Sequence, residues 1–146
     1  MRGDDDKSGG RGPMVRADPD RIRQVFVNLL TNAAKFTDGG GGDGDSGTIT
    51  ISIRVEGDQA IASVSDTGTG IDGDMLPRLF QKFTAKSFKG IGLGLYICRW
   101  IIELHGGRIW AQNNQGGKGA TFTFTLPISG GATAATATTK DAAKQQ

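Results

Sequence analysis

Three polar side chains share one stripe of a predicted helix in the segment NLLTNAAKF. Asn28, Asn32 and Lys35 are spaced i, i+4 and i+7, so a helix places them above one another, beside its apolar face. The amide oxygen of Asn32 is a hard ligand that suits Mg²⁺, an ion that keeps most of its waters and bridges to phosphate oxygens. Lys35 then supplies a point charge for the same phosphates. Asparagines on a helix are also often simply solvated, and the stripe alone leaves both interpretations open.

The segment DTGTGID (66–72) combines an acidic residue with two glycines at the end of a predicted strand. The carboxylate of Asp66 can accept a hydrogen bond from an exocyclic amine, and Gly68 and Gly70 allow the backbone to approach a flat ring closely. The same residue types are common in ordinary tight turns. This pattern by itself is therefore a weak indication of a binding site.

The segment KGIGLGL has glycines at alternate positions, Gly90, Gly92 and Gly94, directly before an apolar helical pattern. Unpaired N–H groups and the positive end of the helix dipole favour a phosphate at such a helix start. A flexible linker that ends at a helix is the alternative. A dinucleotide-binding fingerprint fits poorly, because the segment follows a polar Lys/Ser stretch and lacks the GxGxxG spacing. No GxxxxGK[ST] pattern occurs in the chain, which excludes a P-loop.

The composition predicts a cytoplasmic domain without a strongly charged partner. The chain of 146 residues carries 17 basic and 15 acidic residues, so no strong attraction to nucleic acid is expected. Its single cysteine, Cys98, excludes an internal disulfide and suits a reducing compartment. No apolar run approaches the roughly 20 residues that span a bilayer, so no direct membrane contact is expected. The single histidine, His105, precedes two glycines and is predicted to be structural at a helix end.

The polar stripe must be positioned by an amphipathic helix. Asp18 is its predicted N-cap and Pro19 its first residue. Apolar residues then follow at helical spacing: Ile22, Val25, Phe26, Leu29, Leu30 and Ala33.

The remaining segments predict strands and two further helices. TITISIRVE alternates apolar and polar residues and is predicted to pair with QAIASVSD across a turn at Gly57-Asp58. A short helix is predicted around 74–81, and a longer one with apolar residues over most of its circumference at 93–104. GRIWAQNN and ATFTFTLP are predicted as closing strands, the second with Phe122, Phe124 and Leu126 inward.

These elements predict an α/β (α+β) two-layer sandwich. Three helices are expected on one face of a mixed, mostly antiparallel sheet of about five strands, with MVRA as a short edge strand. The folded unit is predicted at 14–128. Residues 1–13 are interpreted as a disordered or tag-like lead-in, and 129–146 as a low-complexity tail.

In this order, the motifs resemble those of the catalytic and ATP-binding domain of sensor histidine kinases. That domain has the Bergerat-type (GHKL) fold, shared with gyrase B, the mismatch-repair ATPases and the heat-shock chaperone ATPases. NLLTNAAKF is similar to the N box, DTGTGID to the G1 box, LFQKF to the F box, KGIGLGL to the G2 box and GGKGATF to the last strand motif. The similarity covers about residues 15–128, and five motifs in the right order are a strong indication where each alone is weak.

The resemblance implies that ATP and Mg²⁺ bind beneath a mobile lid at 84–90. Asn32 would hold Mg²⁺, Asn28 and Lys35 would serve the phosphates as the catalytic pair, and Asp66 would select adenine. Phe80 and Phe83 would anchor the start of the lid. The other positions that the resemblance implies as nucleotide contacts are Gly68, Gly70, Ile71, Phe83, Lys86, Lys89, Gly90, Gly92, Leu93, Gly94, Leu95 and Thr121.

One departure distinguishes the branches of the family. The relatives that hydrolyse ATP place a glutamate general base four residues before the magnesium asparagine, whereas this chain has Asn28, a poor proton acceptor. The resemblance therefore favours a protein-histidine kinase over a slow ATPase. Two further functions are compatible with these residues: a regulatory nucleotide-binding domain, and a scaffold that uses the glycines only as turns.

The resemblance also implies partners, because no phosphoacceptor histidine box precedes Val15. Phosphoryl transfer would need the dimerisation and histidine-phosphotransfer domain of the parent kinase, with a response regulator receiver domain downstream. We expect this fragment to be monomeric, and to bind ATP without hydrolysing it quickly.

Overall fold

A computed structural model describes residues 14–38, 47–82 and 93–129. Within these ranges, two α-helices lie on one face of a four-stranded antiparallel sheet. In chain order the elements are α1 (Pro19–Asp38), β1 (Ile49–Glu56), β2 (Gln59–Asp66), a 3-10 turn (Leu76–Arg78), α2 (Gly94–Leu104), β3 (Ile109–Asn113) and β4 (Ala120–Pro127). The predicted lead-in at 1–13, most of the glycine-rich loop at 39–47 and nearly all of the predicted tail lie outside the described residues.

Helix α1 begins where the sequence predicts. The carboxylate of Asp18 accepts a hydrogen bond from the N–H of Asp20 at 3.0 Å, which satisfies one of the free donors of the first turn. One stripe of the helix is fully buried and faces the sheet: Val25, Leu29 and Ala33. The neighbouring stripe with Asn28 and Asn32 is half-buried, at the border of the core.

The sheet has the strand order β1-β2-β4-β3, and every pair in it is antiparallel. Val64 of β2 lies opposite Phe122 of β4, and Ala62 lies opposite Phe124, so these side chains share the face covered by the helices. As predicted, Phe122, Phe124 and Leu126 point inward. The ring of Phe26 on α1 meets Phe124 edge-on, with centroids 5.2 Å apart, which locks α1 onto the middle of the sheet.

The predicted fold class is confirmed, but the counts of helices and strands were wrong. The segment around 74–81 forms only the 3-10 turn, with Pro77 in its first turn. The expected edge strand MVRA is reduced to one bridge between Val15 and Ile128. It ends there because the chain turns into α1, where the N–H of Asp18 donates to Nε2 of His105 at 3.1 Å. His105 has the predicted structural role, and its Nδ1 lies 2.7 Å from the carbonyl oxygen of Ile101.

Two apolar surfaces are more exposed than the patterns suggested. Helix α2 buries only one side, with Cys98, Ile101 and Ile102, so the expected cover over most of its circumference was wrong. Trp100 and Leu104 on its other side are 56% and 67% exposed. On β1, the alternating row from Ile49 to Val55 shares the helix-covered face but stays exposed, because β1 is an edge strand of the described sheet and α1 packs mainly over β2. No helix in the described ranges is long and apolar enough to cross a membrane.

The thiol of Cys98 lies buried between the two helices. Its sulfur accepts a hydrogen bond from Nδ2 of Asn28 at 3.6 Å and donates one to the carbonyl of Val25 at 3.9 Å. Burial raises the pKa of this thiol from 9.0 to about 11, an effect that the hydrogen bond from Asn28 partly opposes. The thiolate is therefore even rarer at neutral pH than in a free cysteine.

We predict that Cys98 resists alkylation in the folded protein. At pH 8, iodoacetamide should react far more slowly with the native chain than with the chain in urea, because only the exposed thiolate is nucleophilic. The same pKa shift stabilises the folded state below pH 9, and this contribution is lost as the pH rises from 9 to about 11. Mass spectrometry of timed samples measures the rate of alkylation, and equal rates with and without urea would contradict the buried position of Cys98.

Candidate functional site

The carboxylate of Asp66 lies at the end of β2 and is 1% exposed. Its Oδ1 accepts hydrogen bonds from the N–H of Gly68 at 2.9 Å and from the N–H of Ala120 at 3.3 Å. Its Oδ2 is buried and has no hydrogen-bond partner in the described part of the chain. A buried acceptor without a partner is costly, so the carboxylate is suited to a donor from a bound molecule.

The loop that follows Asp66 packs against the last turn of α1. A Cβ on Gly68 would lie 2.4 Å from the carbonyl oxygen of Phe36, so only glycine permits this close approach. The backbone of Gly68 is thereby held between α1 and the carboxylate of Asp66. Predicted residues of the G1 box and the end of the N-box helix therefore meet in space.

The polar stripe of α1 connects this loop with the start of α2. Nδ2 of Asn28 donates to the carbonyl of Gly94, the first residue of α2, at 3.4 Å. Phe36, which contacts Gly68, is two turns further along α1, or about 12 Å at 1.5 Å per residue. Between these two contacts lie Asn32, half-buried, and Lys35, exposed. The two glycine motifs are thus joined by the helix that carries the predicted polar residues.

Of the remaining predicted nucleotide contacts, some lie near the Asp66 loop or the start of α2, and one lies on the other face of the sheet. Ile71 is buried beside the Asp66 loop, and Leu93 and Leu95 are half-buried at the start of α2. Thr121 lies on the opposite face of the sheet from the helices, since it alternates with inward-facing Phe122. Its hydroxyl donates to Oδ1 of Asn114 and is hydrogen-bonded to the hydroxyl of Ser65, so the structure does not bring it together with the Asp66 carboxylate.

The predicted lid at 84–90 lies outside the described residues. Phe80, from the F-box segment, is half-buried and meets Phe122 edge-on, with centroids 6.3 Å apart. Phe83, Lys86, Lys89, Gly90 and Gly92 lie outside the described residues. Their assignment to the lid and the phosphates stays a prediction.

Two residues that support the site, Asn113 and Asn114, were not identified from the sequence. Nδ2 of Asn114 donates to the backbone carbonyl of Asp66 at 2.9 Å, and the side chain of Asn113 pairs with the backbone of Ile71. The only local signal was a pair of asparagines just before Gly116 and Gly117, which is equally typical of a turn. Their partners lie more than forty positions earlier in the chain.

A comparison with family models matches residues 17–130 to the family described as histidine kinase-, DNA gyrase B-, and HSP90-like ATPase. Among curated proteins, the chain is 44% identical over 120 residues to the adaptive-response sensory kinase SasA of Synechococcus elongatus, covering 80% of this chain and 30% of that protein. It is also 44% identical over 114 residues to the sensor protein FixL of Bradyrhizobium diazoefficiens, covering 78% of this chain and 22% of that protein. The chain thus spans less than a third of the length of these relatives.

Among solved structures, the catalytic domain of the histidine kinase ThkA is similar over 78% of this chain and 70% of that domain. The sequences are 37% identical, and the TM-score is 0.67. The similarity therefore extends over most of the ThkA catalytic domain, whereas the curated relatives contain much more sequence than this chain.

Proposed function

This chain belongs to the family of histidine kinase-, DNA gyrase B- and HSP90-like ATPases, and we propose that it is the ATP-binding catalytic domain of a sensor histidine kinase. It would present the γ-phosphate of Mg-ATP to a histidine on a separate dimerisation and phosphotransfer domain of the parent protein. The folded domain would comprise residues 14–128 and act in the cytoplasm, with a response regulator receiver domain as the downstream acceptor. The observation that carries the proposal is the buried Oδ2 of Asp66, which has no hydrogen-bond partner among the residues that the structure describes.

Asp66 supports the adenine end of the proposed site. Two backbone N–H groups occupy Oδ1 and leave Oδ2 as an acceptor, which is the complement of an exocyclic amine. Gly68 lets the loop lie against the backbone of Phe36 on α1, and its N–H holds Oδ1 of this carboxylate. A base that presents a carbonyl oxygen instead of an amine would face a carboxylate oxygen and be rejected. The acceptor at Oδ2 therefore suits the exocyclic amine of adenine.

Asn32 and Lys35 support the phosphate end. We assign the Asn32 amide oxygen to Mg²⁺ and the Lys35 ammonium to the phosphates, because both lie on α1 between the Asp66 loop and the start of α2. Bound Mg-ATP supplies the γ-phosphoryl group, with its negative charge partly neutralised by the ion. The lid residues Lys86 and Lys89 and the glycines Gly90 and Gly92 are assigned to the phosphates on the resemblance alone.

Asn28 supports a kinase over an ATPase. Its amide nitrogen donates to the carbonyl of Gly94 and to the sulfur of Cys98, so the side chain bridges α1 and α2. An amide is also too weak a base to take a proton from water. The position that serves as general base in the ATP-hydrolysing relatives is therefore unable to do so here, and water is a poor competitor for the phosphoryl group.

The first test of the proposed function is a calorimetric titration of ATP into the purified chain, with and without Mg²⁺. The wild type should bind ATP more tightly with the ion, whereas Asn32→Ala should lose at least about tenfold of this enhancement. Thr31→Ala is the matched control, because Thr31 is an exposed neighbour whose hydroxyl donates to the carbonyl of Val27. An undiminished effect of Mg²⁺ in Asn32→Ala would remove that residue from the metal site.

Phosphoryl transfer is tested separately by adding the phosphotransfer domain of a related histidine kinase together with γ-labelled ATP. Label should appear on its histidine as an acid-labile phosphoramidate. ATP binding without transfer to any such domain would instead favour a regulatory nucleotide-binding domain.

A further inference from the structure

The side chain of Asn113 pairs with both backbone groups of Ile71. Its Oδ1 accepts a hydrogen bond from the N–H of Ile71 at 2.7 Å, and its Nδ2 donates to the carbonyl of Ile71 at 2.8 Å. Both bonds are short for N–H···O contacts. They reproduce the two bonds that a strand residue exchanges with its partner in a hydrogen-bonded antiparallel pair. The amide of Asn113 thus pairs with the backbone of Ile71 as a partner strand would.

This pairing occurs where no strand fixes the chain. Ile71 lies five residues beyond the end of β2 and belongs to no strand, while its side chain is buried in the core. Gly70 is also close, since a Cβ there would lie 3.0 Å from Oδ1 of Asn113. The peptide at Ile71 is therefore held by one side chain on β3, in addition to the burial of its own side chain.

The neighbouring asparagine holds the other end of the same loop. Nδ2 of Asn114 donates to the carbonyl of Asp66 at 2.9 Å, and its Oδ1 accepts from the hydroxyl of Thr121. Consecutive residues at the end of β3 therefore bind the first and last residues of the loop 66–71. Between these two attachments, Gly68 donates its N–H to Oδ1 of Asp66.

We propose that Asn113 is a positioning residue for adenine recognition, a role that rests on the proposed binding of ATP at Asp66. By fixing Ile71, it keeps the loop close enough for Gly68 to donate to Oδ1 of Asp66, which orients the carboxylate and leaves Oδ2 for the base. Asn113 itself does not contact the nucleotide. Without the Asn113 side chain, Ile71 loses two hydrogen bonds and the end of the loop becomes more mobile. The carboxylate of Asp66 then loses its fixed orientation.

The test compares ATP affinity in Asn113→Ala, Asn113→Asp and the control Gln112→Ala, in which an exposed neighbour on β3 is changed. Asn113→Ala should weaken ATP binding about tenfold, because two hydrogen bonds to the loop are lost. Asn113→Asp retains the acceptor for the N–H of Ile71 and should weaken binding less. Gln112→Ala should bind as the wild type does.

A purely structural role is distinguished by two further readouts. Amide hydrogen exchange should accelerate at Ile71 and Gly68 in Asn113→Ala, while exchange in α1 is unchanged. The enhancement of ATP binding by Mg²⁺ should also be unchanged, since the metal end of the site is not altered. General loosening of the fold would accelerate exchange in α1 as well and would overturn the inference.

Failure of this inference differs from failure of the proposed function. Wild-type protein that does not bind ATP contradicts both. Wild-type protein that binds ATP, with Asn113→Ala binding equally well, overturns the positioning role alone. If Asn113→Ala does not fold, Asn113→Asp is the deciding variant. Wild-type affinity for ATP in Asn113→Asp, together with wild-type amide exchange at Ile71 and Gly68, would also overturn the positioning role.

Discussion

Replacement of Asp66 by asparagine is expected to weaken ATP binding at least about 100-fold, to below detection in a calorimetric titration. The amide oxygen of the variant can still accept from the N–H groups of Gly68 and Ala120. The amide nitrogen then occupies the place of Oδ2 and presents a donor to the donor amine of adenine. Binding is lost because two donors face each other in a buried site, not because the domain unfolds.

The control for this variant is Asp72→Asn, which makes the same chemical change at an exposed acidic residue of the same segment. It should bind ATP like the wild type. Circular dichroism and thermal melting of Asp66→Asn should show a folded domain, since both hydrogen bonds to Oδ1 can be kept. Affinity within threefold of the wild type in folded Asp66→Asn would refute the assignment of Asp66 to the base.

Gly119→Ala is expected to have the largest effect on stability. Gly119 has φ +82°, and a Cβ there would lie 1.8 Å from the carbonyl oxygen of Asp66 and 2.9 Å from Cα of Thr67. The positive φ costs about 1–2 kcal/mol in an L-residue, and the forced displacement of backbone adds about 1–3 kcal/mol. The displaced segment carries Asp66, so ATP binding should be lost together with stability.

The measurement is the midpoint of thermal unfolding, which should fall by about 10–20 °C for a loss of this size. Gly117→Ala is the matched control, because Gly117 has φ +83° in the same turn but no heavy atom within 4 Å of its Cβ position. Gly117→Ala should lower the midpoint only by the amount that corresponds to the cost of the positive φ. Equal losses in the two variants would mean that the contact with Asp66 contributes nothing.

Much of the fold was predictable because its signals are local. The 3.6-residue period of α1 and the two-residue period of β4 predict which side of each element is buried, and Val25 and Phe122 lie where these periods place them. Two predictions failed. The segment around 74–81 forms only the 3-10 turn, and the row on β1 follows the strand period although no helix of the described residues covers it.

The candidate site was predictable only in its residue types. The spacing of Asn28, Asn32 and Lys35 follows from the helix period, and the resemblance to histidine kinases depends on motifs that are visible in the chain. By contrast, the unpartnered oxygen of Asp66 depends on Ala120, a residue 54 positions away, which occupies the other oxygen. No local pattern predicts which of the two carboxylate oxygens will be free to accept a hydrogen bond from a bound molecule.

The sequence by itself determined the helix with its polar stripe, the pairing of alternating strands and the family, because periodicity and motif order are properties of neighbouring residues. Only the tertiary structure decided the strand order, the contact between Gly68 and α1, and the attachment of the loop 66–71 by Asn113 and Asn114. The physical reason is that these contacts join segments distant in the chain, and such contacts form only when several elements pack at once. Asn113 therefore resembles a turn residue in the sequence and acts as a strand partner in the fold.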